Sequence, residues 1–113
     1  MDKLFICGQR RLKGRVRCDG SKNAALAVLA AAVAVPGRCR IEKIPPVSDI
    51  LVMIEIIKEL GASAEMTPDG ALIIDSTSLR TCRAPEHLVR MMRGSFYMAG
   101  ALLGRFRRAE VLL

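Results

Sequence analysis

From Ala24 to Val35 the chain reads AALAVLAAAVAV, 12 residues without one polar side chain. Ser21 before it suits an N-cap, and Pro36-Gly37 after it stops a helix. A helix on the surface of a small domain keeps a polar outer face. This one has none, which marks it as a buried segment. A membrane is excluded by length, because a bilayer span needs about 20 apolar residues. The second apolar run, Gly94–Gly104, is 11 residues and also too short. After the Ser21 cap, Lys22 and Asn23 stand at the mouth of the first run.

The rest of the chain fits one modest core. It has 113 residues, 51% of them hydrophobic. Its net charge of +7 favours anionic partners in general, such as nucleotides, phosphate esters, nucleic acid or anionic lipid. Base-stacking binders interleave basic with aromatic residues. Only 4% of this chain is aromatic, and no such stripe occurs, so nucleic acid is not the expected partner. Cys7, Cys18, Cys39 and Cys82 lie 11, 21 and 43 residues apart, and His87 is the only histidine. That spacing offers no paired zinc ligands. Without a secretory signal in MDKLFICGQRR, reduced thiols in a cytoplasm are expected.

The pattern along the chain predicts strands at Lys3–Cys7 and Gly14–Cys18, then the apolar helix, then a strand over Arg38–Ile44. Ser48 or Asp49 is expected to cap a second helix reaching about Leu60, with Gly61 as its left-handed stop. ASAEM and ALIID form a hairpin around Thr67-Pro68-Asp69-Gly70. Pro85 suits the start of a third helix, Glu86 to Arg105, that places Arg90, Arg93, Tyr97 and Gly104 on one side. Gly94, Ala99, Gly100, Ala101 and Gly104 make that helix slim enough for a neighbour to approach closely. A last strand begins at Ala109 and runs to Leu113.

At the first helix start, unpaired backbone N–H groups and the positive dipole end face outward. Gly20 leaves the backbone open to a ligand, Lys22 adds a full charge and Asn23 an amide. Together they make a small anion site. The spacing is neither that of a P-loop nor of a dinucleotide-binding turn. The competing reading is plain: Lys22 is a solvated end residue, Arg90 and Arg93 a solvated helix face, and Asp49 a cap.

Several motifs then agree with one family. GSKNAALAVLAA, RRLKGRV before it, IPPVSDI, ELGA and APEHLVRMMRGSFYMAGALLGRF resemble, in order and spacing, the UDP-N-acetylglucosamine 1-carboxyvinyltransferases. The resemblance runs from about Leu4 to Leu113. The sister shikimate-pathway enolpyruvyl transferases share Gly-Ser-Lys but continue with serine, where this chain has Asn23.

The resemblance implies an α/β (α+β) fold: the EPSP synthase-like inverse α/β barrel, built from βαβαββ units and here incomplete. Residues 1–21 would be strands of the second domain and residues 22–113 part of the first. It implies transfer of enolpyruvyl from phosphoenolpyruvate to the 3-hydroxyl of UDP-N-acetylglucosamine, an early step of peptidoglycan synthesis, by addition and elimination. Lys22 and Asn23 would be catalytic and bind phosphoenolpyruvate, Arg93 would bind UDP-N-acetylglucosamine, and Asp49 would lie near the cleft. No metal or organic cofactor is implied, and neither nucleic acid nor membrane is an expected partner. The family's proton-donating cysteine sits on a loop after the strand that begins at Ala109. None of the four cysteines here takes that place. The chain is therefore expected to be a piece that is inactive alone, with a Gly-Gly-Cys loop following Leu113. A shikimate-pathway transferase and a non-enzymatic basic binding module are the alternatives.

Overall fold

The computed structural model describes residues 2–112. Helix α1 spans Lys22–Ala34, and Ser21 caps it by accepting a hydrogen bond from the Ala24 N–H at 3.4 Å. Strand β1 (Arg38–Ile41) follows, then α2 (Ser48–Glu59), β2 (Ser63–Met66) and β3 (Leu72–Asp75). The chain continues into a one-turn helix α3 (Glu86–Val89), a 3-10 turn at Arg93–Phe96, and α4 (Tyr97–Phe106).

The three strands form one antiparallel sheet in the order β1-β3-β2. β1 and β2 thus run parallel on either side of β3, joined through α2. The hairpin closes as its turn residues dictate. Thr67 accepts from the Gly70 N–H at 2.9 Å, and the Thr67 N–H donates to Ala71 at 2.8 Å. Register sorts the side chains cleanly. Cys39, Ile74 and Ala64 share one row and Ile41, Leu72 and Met66 another, both on the inner face. Arg38, Asp75 and Ser63, and then Arg40, Ile73 and Glu65, make the outer face. There Arg40 pairs with Asp69 and Glu42. Hydrogen bonds from the Thr67 hydroxyl, and then from Arg40, hold the Asp69 carboxyl below its ordinary range.

Inner-face Leu72 and Ile74 join Leu29 and Val33 of α1, Ile50, Met53 and Ile57 of α2, and Met98 and Leu102 of α4, all fully buried. Each such side chain contributes about 1.5–3 kcal/mol relative to exposure. α2 ends as its glycine predicts. Gly61 takes φ +107, its N–H donates to Lys58 and that of Ala62 to Ile57, a Schellman ending. Its start differs from expectation. Val47 is the N-cap and neither Ser48 nor Asp49 caps with its side chain, because Asp49 is turned to Lys22.

Four other expectations are corrected. Residues 2–20 form no strand, and Leu4, Phe5, Ile6, Leu12 and Val16 are all highly exposed. A strand is held by its ladder and by a face to pack on, and these residues have neither here. The strand expected over Arg38–Ile44 stops at Ile41, since Lys43 turns to φ +56 ahead of Pro45-Pro46. The expected helix Glu86–Arg105 is broken. Met92 adopts an extended backbone (φ −152, ψ 141) that drops its side chain into the core, and Ser95 donates to the freed Met92 carbonyl at 2.9 Å. Arg90, Arg93, Tyr97 and Gly104 therefore do not share one helical side. The strand expected from Ala109 is a single parallel bridge, Arg83 to Glu110, and Leu113 lies outside the described residues.

Candidate functional site

Lys22 is the first residue of α1, where a cation meets the positive end of the helix dipole. No acid stands in that first turn. The compensating charge comes from another helix. Asp49, in the first turn of α2, places Oδ2 2.9 Å from Lys22 Nζ. The two side chains are 46% and 34% exposed, so the pair is open to solvent on one side. Exposed pairs are weak, of order 0–1 kcal/mol. The ammonium can therefore exchange partners easily.

Asn23 is exposed, and its amide has no hydrogen-bond partner among the described residues. It stands beside Lys22 at the same helix mouth. Gly20 behaves otherwise than the sequence suggested. Its bare Cα faces the Lys43 carbonyl, and a Cβ there would lie 1.8 Å from that oxygen. The close approach that Gly20 permits is taken by the chain itself.

Arg93 starts the 3-10 turn and is exposed. With Arg90, Met91, Phe96 and Leu112 it lines an open groove of about 530 Å³. Next to it, Gly94 packs on α1: a Cβ at Gly94 would lie 2.9 Å from Leu26 Cδ1. Leu26 is one turn along from Lys22, so the Arg93 turn is seated against the same end of α1. Of the three glycines in this stretch, only Gly94 would bring an added Cβ within 4 Å of a neighbour, and nothing lies there at Gly100 or Gly104, while Ala101 of α4 is buried. Arg90 is occupied by Glu86 at 2.6 Å, and His87 by Glu59 at 3.0 Å.

The structure thus brings Lys22 and Asp49 into contact, keeps Asn23 beside them, and seats the backbone next to Arg93 one turn away. The arrangement offers a half-exposed ammonium, helix N–H groups and a free amide, the parts of an anion grip. The Lys22–Asp49 contact spans 27 residues and was missed from sequence; its only signal was that both residues open helices. Also missed was Arg105, whose guanidinium donates to the Val33 carbonyl at 3.2 Å and the Ser76 carbonyl at 2.8 Å. Among the described residues no cluster of side chains could hold a metal ion, and no helix is long and apolar enough to cross a membrane.

Residues 6–113 match the family described as EPSP synthase (3-phosphoshikimate 1-carboxyvinyltransferase). Among curated proteins, the chain is 40% identical over 113 residues to UDP-N-acetylglucosamine 1-carboxyvinyltransferase 2 of Carboxydothermus hydrogenoformans, covering all of this chain and 27% of that protein. It is 44% identical over 114 residues to UDP-N-acetylglucosamine 1-carboxyvinyltransferase of Prosthecochloris aestuarii, again covering 100% and 27%. Among solved structures, it is similar to the enolpyruvyl transferase NikO from Streptomyces tendae, with a TM-score of 0.74 and 32% identity over 88% of this chain and 23% of that one. The chain spans about a quarter of the length of these relatives. With the family match spanning residues 6–113 and the fold in agreement, the chain belongs to the EPSP synthase family of enolpyruvyl transferases.

Proposed function

We propose that this chain supplies the phosphoenolpyruvate grip of an enolpyruvyl transferase acting on UDP-N-acetylglucosamine, in cytoplasmic peptidoglycan synthesis. The observation that carries the reading is Lys22, half exposed at the mouth of α1 and held only by a weak pair. Phosphoenolpyruvate carries a phosphate and a carboxylate. Lys22 meets that charge with its ammonium and the α1 N–H groups with their partial charges. Asn23 orients the donor through its free amide. Arg93, on the rim of its groove, takes the anionic part of the nucleotide sugar. Asp49 lies beside the cleft as Lys22's partner. Residues 1–21 belong with a second domain, which would cover exposed Leu4, Phe5 and Ile6. No metal or cofactor enters this reading.

The family description names the shikimate-pathway enzyme, whereas the curated relatives above are named for the aminosugar substrate. Asn23 after the lysine favours the second. The test is a chimera in which this chain replaces the matching 27% of the Carboxydothermus hydrogenoformans protein. Phosphate release from phosphoenolpyruvate is expected with UDP-N-acetylglucosamine and not with shikimate 3-phosphate. Lys22→Ala in the chimera should lower turnover by about 10²-fold or more, the loss typical of a preorganised charge-stabilising donor. Preference for shikimate 3-phosphate, or full turnover by Lys22→Ala, overturns the reading.

A further inference from the structure

We infer that Asp49 is an internal stand-in for the anion: its carboxylate holds Lys22 while the site is empty and competes with the incoming phosphate. The inference rests on the reading of Lys22 as the phosphate grip and adds a control on that grip. Asp49 Oδ2 occupies hydrogen-bonding space 2.9 Å from Lys22 Nζ, where a ligand oxygen would sit. It does so from a different helix, so the contact is not fixed by local geometry. Both side chains reach solvent, 46% and 34% exposed, and an exposed pair is readily opened.

The carboxylate also has somewhere else to go. Asp49 lies in the first turn of α2, whose N-cap Val47 contributes no side-chain hydrogen bond. Released from Lys22, the carboxylate remains favourable against the N–H groups and dipole of α2. Lys22 has no such alternative, because α1 carries no acid in its first turn. Asp49 is therefore a positioning residue with two favourable partners, while Asp49 is the one acidic partner that the described residues give Lys22. The consequence is specific. Asp49 aims the ammonium yet lowers the affinity for any anion that binds it, because ligand and carboxylate are like charges a few ångströms apart.

The test is a titration of the full 113-residue chain with inorganic phosphate and with phosphoenolpyruvate, followed by amide NMR shifts at low ionic strength. Asp49→Asn should bind phosphate about tenfold more tightly than the unaltered chain, the order expected for removing one unit charge beside a partly exposed dianion. Asp49→Glu should restore the weaker affinity. Asp49→Asn combined with Lys22→Ala should lose the gain. A purely structural first-turn acid predicts a lower melting temperature for Asp49→Asn with equal or weaker binding, and that result overturns the inference. A gain that survives Lys22→Ala also overturns it, since the effect would not pass through the grip. Binding that is absent from every variant overturns it as well, because Asp49→Asn is required to bind. If Lys22→Ala alone leaves binding unchanged, the grip reading itself fails, and the chimera assay reports on that reading independently.

Discussion

Two glycines near α1 look alike in sequence and differ in what surrounds them. At Gly20 an added methyl group would sit 1.8 Å from the Lys43 carbonyl oxygen, a backbone atom that cannot step aside without moving the loop. At Gly94 it would meet Met92 Cε at 2.7 Å and Leu26 Cδ1 at 2.9 Å, the tips of flexible side chains. Gly20→Ala should therefore cost about 1–3 kcal/mol, as overpacking does, and Gly94→Ala less than about 1 kcal/mol. Urea unfolding of the two variants checks the order; equal losses would refute it. The helix mouth was legible at this scale because Ser21, Lys22 and Asn23 are adjacent and Ser21 caps α1 locally. The use of Gly20 was not, since its neighbour Lys43 lies 23 positions away and a sequence shows a glycine's freedom without showing what fills it.

Elements were read well where local chemistry decides them. The Ser21 cap, the Gly61 stop and the Thr67–Gly70 turn each depend on a few adjacent residues, and each stands where the sequence put it. The third helix was misread because its period continues through Met91–Arg93, and only the demand of the core for Met92 breaks it. The same limit hid how α1 ends. Its last turn holds no basic residue, so its terminal carbonyls depend on distant donors. Arg105 of α4 donates to Val33, and the Ser76 hydroxyl to Val35 at 2.8 Å. Arg105 also reaches the Ser76 carbonyl, tying α1, β3 and α4 at one corner. Charge-assisted bonds of this kind contribute about 1.5–3 kcal/mol. Arg105→Met, which keeps the stem, is expected to lose about 2 kcal/mol in denaturant unfolding. Arg90→Met removes only an exposed pair with Glu86 and should lose under about 0.5 kcal/mol. Equal losses would mean that the corner does not depend on Arg105.

Over the whole molecule, the apolar helix that first constrained the fold is only half enclosed. Ala25, Leu26, Leu29, Ala30 and Val33 are buried, while Val28 on the other side and Val35 just past the helix end are 46% and 67% exposed. The absent polar face is thus real, and the structure leaves part of it uncovered. The same holds for residues 2–20, whose large apolar side chains are 79–94% exposed. Both surfaces favour association, and the net charge of +7 opposes it. The balance should depend on salt, because screening removes the repulsion and leaves the apolar attraction intact. The chain is expected to sediment as a monomer at about 20 mM salt and as larger species at about 500 mM, where the Debye length falls to a few ångströms. A variant beginning at Gly20 keeps the whole buried core and removes exposed Leu4, Phe5, Ile6, Leu12 and Val16, so its association at high salt should be weaker. A monomer under both conditions would show that the uncovered apolar surface is too small or too divided to drive contact. Weakened association at high salt would show instead that opposite charges, not apolar faces, bring copies together.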